Sequence, residues 1–248
     1  MRVSKARTRV RPVGRVGLGR ALSKLGILSR ARAIEAIQTG RVRVGGRVVR
    51  DPLFAVVPET ARIELDGAAQ SKSTWRTIVF HKPRGVMTTA RDPDGRRTVF
   101  DIIGPEAKGL VTVGRLDLAT SGLLILTNDT QLAHRLTDPR RRLPRLYLVT
   151  VRGLVTADQA ARLEGGIVSG SDRLRAESVT LRKASRRETH LTIELTEGKN
   201  REIRRLCEAL GHEVTRLKRV RFGRLEIGDL EPGQWRHLSR DEITDAFG

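Results

Sequence analysis

Gly114-Arg-Leu-Asp117-Leu-Ala-Thr-Ser-Gly122-Leu-Leu-Ile-Leu-Thr-Asn-Asp129 is the stretch on which the reading of this chain turns. It sets one carboxylate, Asp117, between an apolar run ending at Val113 and a second beginning near Leu123, both of strand length. A carboxylate beside apolar walls drifts toward its neutral form, whereas a nearby cation favours the ionised form, and Arg115 stands two residues away. An ionised, partly desolvated Asp is suited to act as a nucleophile or base. Spacing leaves a second reading open, in which Arg115 and Asp117 form a structural ion pair.

Outward from this string, strand-like runs dominate residues 76–248. They fall at Thr77–Phe80, Leu110–Val113, Leu123–Leu126, Leu146–Val151, Leu191–Leu195 and Val214–Leu217. Helices are sparser. Thr156 with Gln159 makes a capping box ahead of Ala160 and Leu163, and Ser239 with Glu242 makes another near the end. Ile203, Leu206, Cys207 and Leu210 follow the i, i+3, i+4, i+7 rule, with Gly211 where a helix-ending glycine belongs. On that stripe Arg204 flanks the apolar face, and Arg201 and Arg205 lie nearly opposite it. Strands that outnumber helices without a βαβ rhythm predict an α+β domain with a mostly antiparallel sheet.

Residues 19–67 read as a smaller αβ domain. Leu22, Leu25 and Leu28 form a short helical stripe, and Ser29 can cap a second helix through Ile34 and Ile37 that Gly40 ends. Arg41–Val44 and Arg47–Val49 alternate around Gly45-Gly46 as a tight hairpin, and Ala61–Leu65 is a further strand closed by Asp66-Gly67. Lys24, Arg30 and Arg32 join Arg41, Arg43 and Arg47 in a basic cluster. Such a cluster serves as a phosphate-binding surface or as a solvated face. Residues 68–75 begin small and polar and read as a linker. Residues 1–18 hold six basic residues, no acid, and Pro12, Gly14 and Gly17. They are expected to be a flexible arm, either tracking phosphates or free in solvent.

The whole 248-residue chain has 48 Lys and Arg against 28 Asp and Glu, a net charge of +20. Such a balance draws polyanions and speeds their association. One cysteine, Cys207, excludes an intrachain disulfide and fits a reducing compartment. No apolar run approaches the roughly 20 residues of a membrane helix, and the basic N-terminus lacks an apolar region after it. The five histidines are scattered without ligand spacing. These observations predict a cytoplasmic protein with nucleic acid as partner, no metal and no membrane association.

Two resemblances sharpen this. Leu25-Gly26, Ser29-Arg30 and Ile37-x-x-Gly40-x-Val42-x-Val44-x-Gly46 with Val49 resemble the S4 RNA-binding domain, with Gly45 where that family often has Asn. The Gly114-to-Asp117 string resembles the Gly-Arg-Leu-Asp motif of pseudouridine synthases, in the branch that carries an S4 domain and acts on ribosomal RNA. His81-Lys82-Pro83-Arg84-Gly85, Arg145-Leu146-Tyr147, Glu197 through Leu206 and Gly211-His212-Glu213-Val214 resemble further segments of that branch, in the same order. Likeness spans residues 19 to about 238, nearly the whole chain. It implies a pseudouridine synthase fold, a mostly antiparallel mixed sheet with flanking helices, preceded by the S4-like domain.

By this resemblance Asp117 is the catalytic carboxylate, Tyr147 packs against the target base, Ile203 walls the pocket and Arg204 pairs with Asp117. Arg115 helps hold the site against RNA. Arg201 and Arg205, opposite the apolar stripe, are expected to face solvent or RNA, and they and Lys82 are candidate RNA contacts beside the basic cluster. Tyr147, the only tyrosine, reads on the pattern alone as a core aromatic. Arg145 replaces a usual Lys, His81 a common Asn, and Ala119 a residue commonly polar. None removes a group that the reaction requires. Breaking N1–C1′ and joining C5 to C1′ involves no redox change and no donor, so no cofactor is expected. A glycosidase would need a second placed carboxylate. Asn200 through Leu206 and Arg219-Val-Arg-Phe-Gly223 look most like members acting on the large subunit. That implies 23S ribosomal RNA, or a pre-ribosomal particle, as the partner of a monomer. The alternative is a non-catalytic RNA-binding or ribosome-assembly factor with the same fold; such a descendant would lose Asp117, Tyr147 or Arg204 first. The S4 module disfavours a transfer RNA modifier.

Overall fold

The computed structural model describes residues 14–58, 60–70 and 74–248. Two compact units divide the chain, residues 1–75 and 76–248.

In the first unit the order is β1 (Val16–Gly17), α1 (Leu18–Lys24), α2 (Arg30–Gln38), β2 (Val42–Val44), β3 (Arg47–Val48), β4 (Ala55–Val56), β5 (Ile63–Leu65) and β6 (Ala68–Gln70). Ser29 caps α2, its hydroxyl accepting the Arg32 N–H at 3.4 Å. Both helices end in the same device. Ile27 N–H reaches back to Leu22 O and Arg41 N–H to Ala36 O, which satisfies carbonyls the helix leaves free. Leu18, Leu22, Ala33, Ile37, Val42 and Ile63 close one small core. Gly45 and Gly46 both take positive φ, 57° and 80°, as the two-residue turn between β2 and β3 demands.

Two boundaries differ from those the sequence suggests. Ala68–Gln70, expected in the linker, is strand β6, folded back on β5 with Leu65 opposite Ala68 and Ile63 opposite Gln70. Asp66-Gly67 makes the turn there instead of closing the domain. Val16–Gly17, expected in the arm, pairs with β4, and Leu18 is already buried in α1. Residues 1–13 of the expected arm and 71–73 of the expected linker lie outside the described residues.

The second unit runs β7 (Thr77–Lys82), α3 (Val99–Ile103), β8 (Val111–Val113), β9 (Ser121–Thr127), α4 (Thr130–Thr137), β10 (Arg145–Arg152), α5 (Ala157–Gly165), β11 (Ile167–Ser169), β12 (Asp172–Leu174), β13 (Ser178–Ala184), β14 (Glu188–Leu195), α6 (Glu202–Glu208), β15 (Val214–Phe222), β16 (Leu225–Glu226), β17 (Trp235–His237) and α7 (Arg240–Phe247). Nine strands form one sheet in the order β13-β14-β10-β15-β9-β7-β17, with β16 added to β15 and β8 to β9. Every pairing in it is antiparallel except β15 with β9. Leu123 through Leu126 are fully buried in β9, which explains their unbroken apolar run. The expected capping boxes at Thr156–Gln159 and Ser239–Glu242 are formed.

The parallel pairing rests on Gly122. It sits at φ 111°, opposite Arg219. A Cβ there would come within 2.1 Å of the Arg219 carbonyl oxygen, a separation no side chain tolerates. Glycine lets the two backbones approach where the Asp117 loop enters the sheet.

Candidate active site

Asp117 lies in the loop between β8 and β9, and that loop is held almost entirely by its carbonyl groups. Leu116 O accepts from the Thr88 hydroxyl at 2.7 Å, and Leu118 O from the Gly85 N–H at 2.8 Å. Asp117 O and Thr120 O both accept from Lys82 Nζ, at 3.1 and 2.8 Å. Ala119 O accepts from Arg204 Nη2 at 3.2 Å. Five consecutive carbonyls are thereby engaged, so the backbone that carries Asp117 has little freedom left.

This arrangement corrects the assignment of Lys82. Its side chain is wholly buried, and its ammonium donates to Pro83 O, Asp117 O and Thr120 O. Three donors are matched by three backbone acceptors, and none faces RNA. Burial pulls its pKa down to about 8, against an opposing pull from the Asp117 charge.

Arg204 is also corrected. Among the described residues it makes no ion pair with Asp117. Nη1 donates to Val214 O at 2.9 Å and Nη2 to Ala119 O, joining α6 to β15 and to the Asp117 loop. The Asp117 charge still acts on this guanidinium, whose pKa burial lowers. Arg115 is exposed and makes no ion pair with Asp117 either, so the spacing-based pairing is not formed. The Asp117 carboxylate, half-buried, has neither hydrogen bond nor ion pair among the described residues.

Tyr147 lies on β10, opposite Arg219 of β15, which in turn lies opposite Gly122 of β9. Two strand spacings, roughly 10 Å, separate Tyr147 from the start of β9. Tyr147 is buried together with Leu116 and Ile203 in one apolar cluster, as its core reading expects. Arg145 explains its own departure from Lys. Its guanidinium lies 4.8 Å over the Phe222 ring, with Arg219 5.4 Å away from the same ring, and Nη1 donates to Glu197 O at 3.1 Å. A planar guanidinium stacks on a ring in a way that an ammonium does not.

Of the remaining basic residues, Arg201 is exposed and begins α6 with a left-handed backbone, φ 49°. Arg205 is not a free RNA contact. It pairs with Asp172 at 2.7 Å and donates to the Ser169 carbonyl and hydroxyl, fastening α6 to the β11–β12 hairpin. In the first unit Arg30, Arg32 and Arg43 are exposed and Lys24 is half-buried. Arg41 is tied to Asp66 by two hydrogen bonds, 2.8 and 2.6 Å, which neutralises much of its charge as a phosphate ligand. Thr88 and Arg219 are structural members of the site that the sequence does not single out. An isolated Thr in a polar loop carries no signal of its partner, whereas Arg219 stands in the motif string Arg219-Val-Arg-Phe-Gly223.

Glu202 is a buried carboxylate in this region. Burial raises its pKa, and one oxygen accepts the Lys199 N–H at 3.2 Å. Its charged neighbours are Lys199, Arg145 and Glu197, not Asp117.

Residues 76–209 match the family described as RNA pseudouridylate synthase, and residues 18–60 match the S4 domain. The chain is 37% identical over 233 residues to an uncharacterised RNA pseudouridine synthase of Aquifex aeolicus, covering 94% of each. It is 34% identical to ribosomal large subunit pseudouridine synthase B of Bacillus subtilis, covering 91% of this chain and 93% of that one. A crystal structure described as pseudouridylate synthase superposes with a TM-score of 0.64 at 26% identity, covering 92% of this chain and 98% of the other.

Proposed function

Because the chain belongs to the RNA pseudouridylate synthase family, and is therefore an isomerase of uridine in RNA, we propose that its substrate is ribosomal RNA of the large subunit and that Asp117 is its catalytic carboxylate. The target is supported by the name of the Bacillus subtilis relative, by the S4 match and by the net charge of +20. The role of Asp117 is carried by one observation. Its backbone is pinned through five consecutive carbonyls while its carboxylate stays unpaired among the described residues. A structural aspartate would show the reverse, a committed carboxylate on an ordinary loop.

The reaction breaks the uridine N1–C1′ bond, turns the uracil within the site and joins C5 to C1′. Atoms and electrons are conserved, with one proton leaving C5 and one arriving at N1. Asp117 serves either as the nucleophile that attacks the sugar or as the base that takes a sugar proton. In both cases the target base must leave the stack, at a cost of roughly a few kcal/mol that backbone contacts offset. Tyr147 and Ile203 supply an apolar wall for the extruded base, and Arg115 and Arg201, both exposed, meet flanking phosphates.

Asp117→Asn keeps size and polarity and removes the charge. We expect it to abolish pseudouridine formation on transcribed large-subunit RNA while binding stays within about threefold, since the basic contacts are many and redundant. Turnover near the wild-type rate overturns the assignment of Asp117. Pseudouridine mapping in ribosomal RNA from cells with and without the gene identifies the uridine, and an unchanged map overturns the choice of substrate.

A further inference from the structure

A cleft of about 260 Å³ opens beside the start of β10, lined by Arg142, Arg173, Arg175, Glu177, Thr196 and Glu197. Its charges are unbalanced. A single carboxylate oxygen, Glu177 Oε2, takes Arg142 Nη2 at 3.0 Å, the Thr196 hydroxyl at 3.3 Å and, loosely, Arg175 at 3.7 Å. Glu197 is engaged by Lys199 at 2.6 Å. Arg173 has no carboxylate among the described residues; its Nη2 donates to Gly165 O at 3.2 Å. Two guanidiniums therefore share one carboxylate oxygen, and the third has no carboxylate partner among the described residues.

An independent feature concerns Arg142. It takes a left-handed backbone, φ 46° and ψ 38°, at the end of the short turn Pro139–Arg141. Glycine or asparagine occupies such a position with less strain. Retaining a long cation in a disfavoured conformation, pointed at a basic cleft, marks a demand on the side chain. The cleft is also fixed to the candidate site. Arg142 precedes Tyr147 by five residues, a reach of at most roughly 17 Å. Arg145 between them donates to the carbonyls of Leu143 and Glu197.

We infer that this cleft is a phosphate subsite, in which Arg142, Arg173 and Arg175 hold one or two backbone phosphates of the RNA strand that leads its uridine toward Tyr147. The inference rests on the proposed function for the identity of the strand. Guanidinium forks match phosphate oxygens two at a time, which explains three Arg where Lys would supply charge alone. An incoming phosphate displaces the shared Glu177 oxygen from Arg175 and Arg142 and meets Arg173 unopposed.

The test is filter binding of transcribed large-subunit RNA by the full chain between about 50 and 200 mM salt. Arg173→Ala/Arg175→Ala should lower the log–log salt slope by about 1.4 to 1.8 and weaken affinity roughly tenfold. Arg182→Ala/Arg186→Ala, which removes equal charge from the outer β13–β14 hairpin, should lower the slope by less than half as much. Equal effects from the two pairs mean that only net charge acts, which overturns the subsite; so does an unchanged slope in the cleft pair. Arg142→Gly guards against a folding artefact, because it relieves the strained backbone while deleting the guanidinium. A melting temperature held or raised, together with a shallower slope, supports the subsite. A lowered melting temperature with unaltered binding shows that Arg142 serves only its pair with Glu177, and overturns it. These readouts do not involve turnover, so a wild-type chain that forms no pseudouridine counts against the proposed activity alone.

Discussion

Lys82 lies inside the protein without a carboxylate at hydrogen-bond distance; three backbone carbonyls accept from its ammonium, and the Asp117 charge favours it from farther off. Its pKa of about 8 stands below the 10.5 of a free lysine. Between those values the unfolded chain holds the proton more firmly than the folded one, so the stability governed by this group rises with pH across that window. Below about 8 the full penalty of a buried ammonium is present, on the order of 3 kcal/mol. Lys82→Met should therefore flatten the pH dependence of denaturant-induced unfolding between about pH 8 and 10.5. It should also slow turnover at every pH, because in the Asp117 loop Thr120 O loses its donor and Asp117 O loses one of two. A variant whose stability still climbs with pH like the wild type refutes the buried-lysine account. The same loop shows why Arg204 is better understood as a brace than as a counter-ion: Nη1 and Nη2 end on carbonyls of different elements.

At the level of elements, the packing of α6 and β9 decides what the basic and glycine residues do. Arg205 spans from α6 to the β11–β12 hairpin through Asp172 and Ser169, and its side chain is about a quarter exposed. A partly exposed pair of this kind is worth on the order of 1 kcal/mol. Arg205→Ala should lower the melting temperature by about 2–4 °C and leave the salt slope of RNA binding unchanged, as thermal melts and filter binding would report; a shallower slope would return Arg205 to the RNA surface. Gly122→Ala has a harsher prospect. The added carbon meets the Arg219 backbone at 2.1 Å, and relief requires β9 and β15 to part. The expected loss is about 3 kcal/mol or more, read by chemical denaturation. Two helices show how far local signals reach. Thr98 and Asp101 form a capping box at α3, and Asp129 caps α4 by accepting from the N–H groups of Gln131 and Leu132. Both signals lie in the sequence. The first is masked by the polar loop around it, and the second by its place at the end of the Asp117 string.

Across the whole molecule, the charge of +20 is spread over two units that divide between Trp75 and Arg76. Removing residues 1–72 should leave a folded catalytic unit, by circular dichroism and a cooperative melt, with weaker RNA affinity. Its salt slope should fall by about 0.7–0.9 for each phosphate that the first unit had held. An unchanged slope means that the first unit does not touch RNA. What can be read without a structure is whatever neighbouring residues enforce on one another. The strand-like runs of β10 and β14, the caps at Ser29, Thr156 and Ser239, the turn at Gly45-Gly46 and the buried run of β9 are of this kind. So is the order of motif segments, from which the family and the α+β fold follow. The partners of the cations cannot be read. Lys82 meets Asp117 O across 35 residues, Arg205 meets Asp172 across 33, and Arg204 meets Ala119 O across 85. A lysine beside a proline and a glycine looks the same whether it ends in water or in the core. Packing of β7 against β9 put Lys82 where three carbonyls accept from it, and packing of α6 gave Arg204 and Arg205 their acceptors. Charge and spacing are properties of the chain, but desolvation and hydrogen-bond geometry exist only once distant segments have come together.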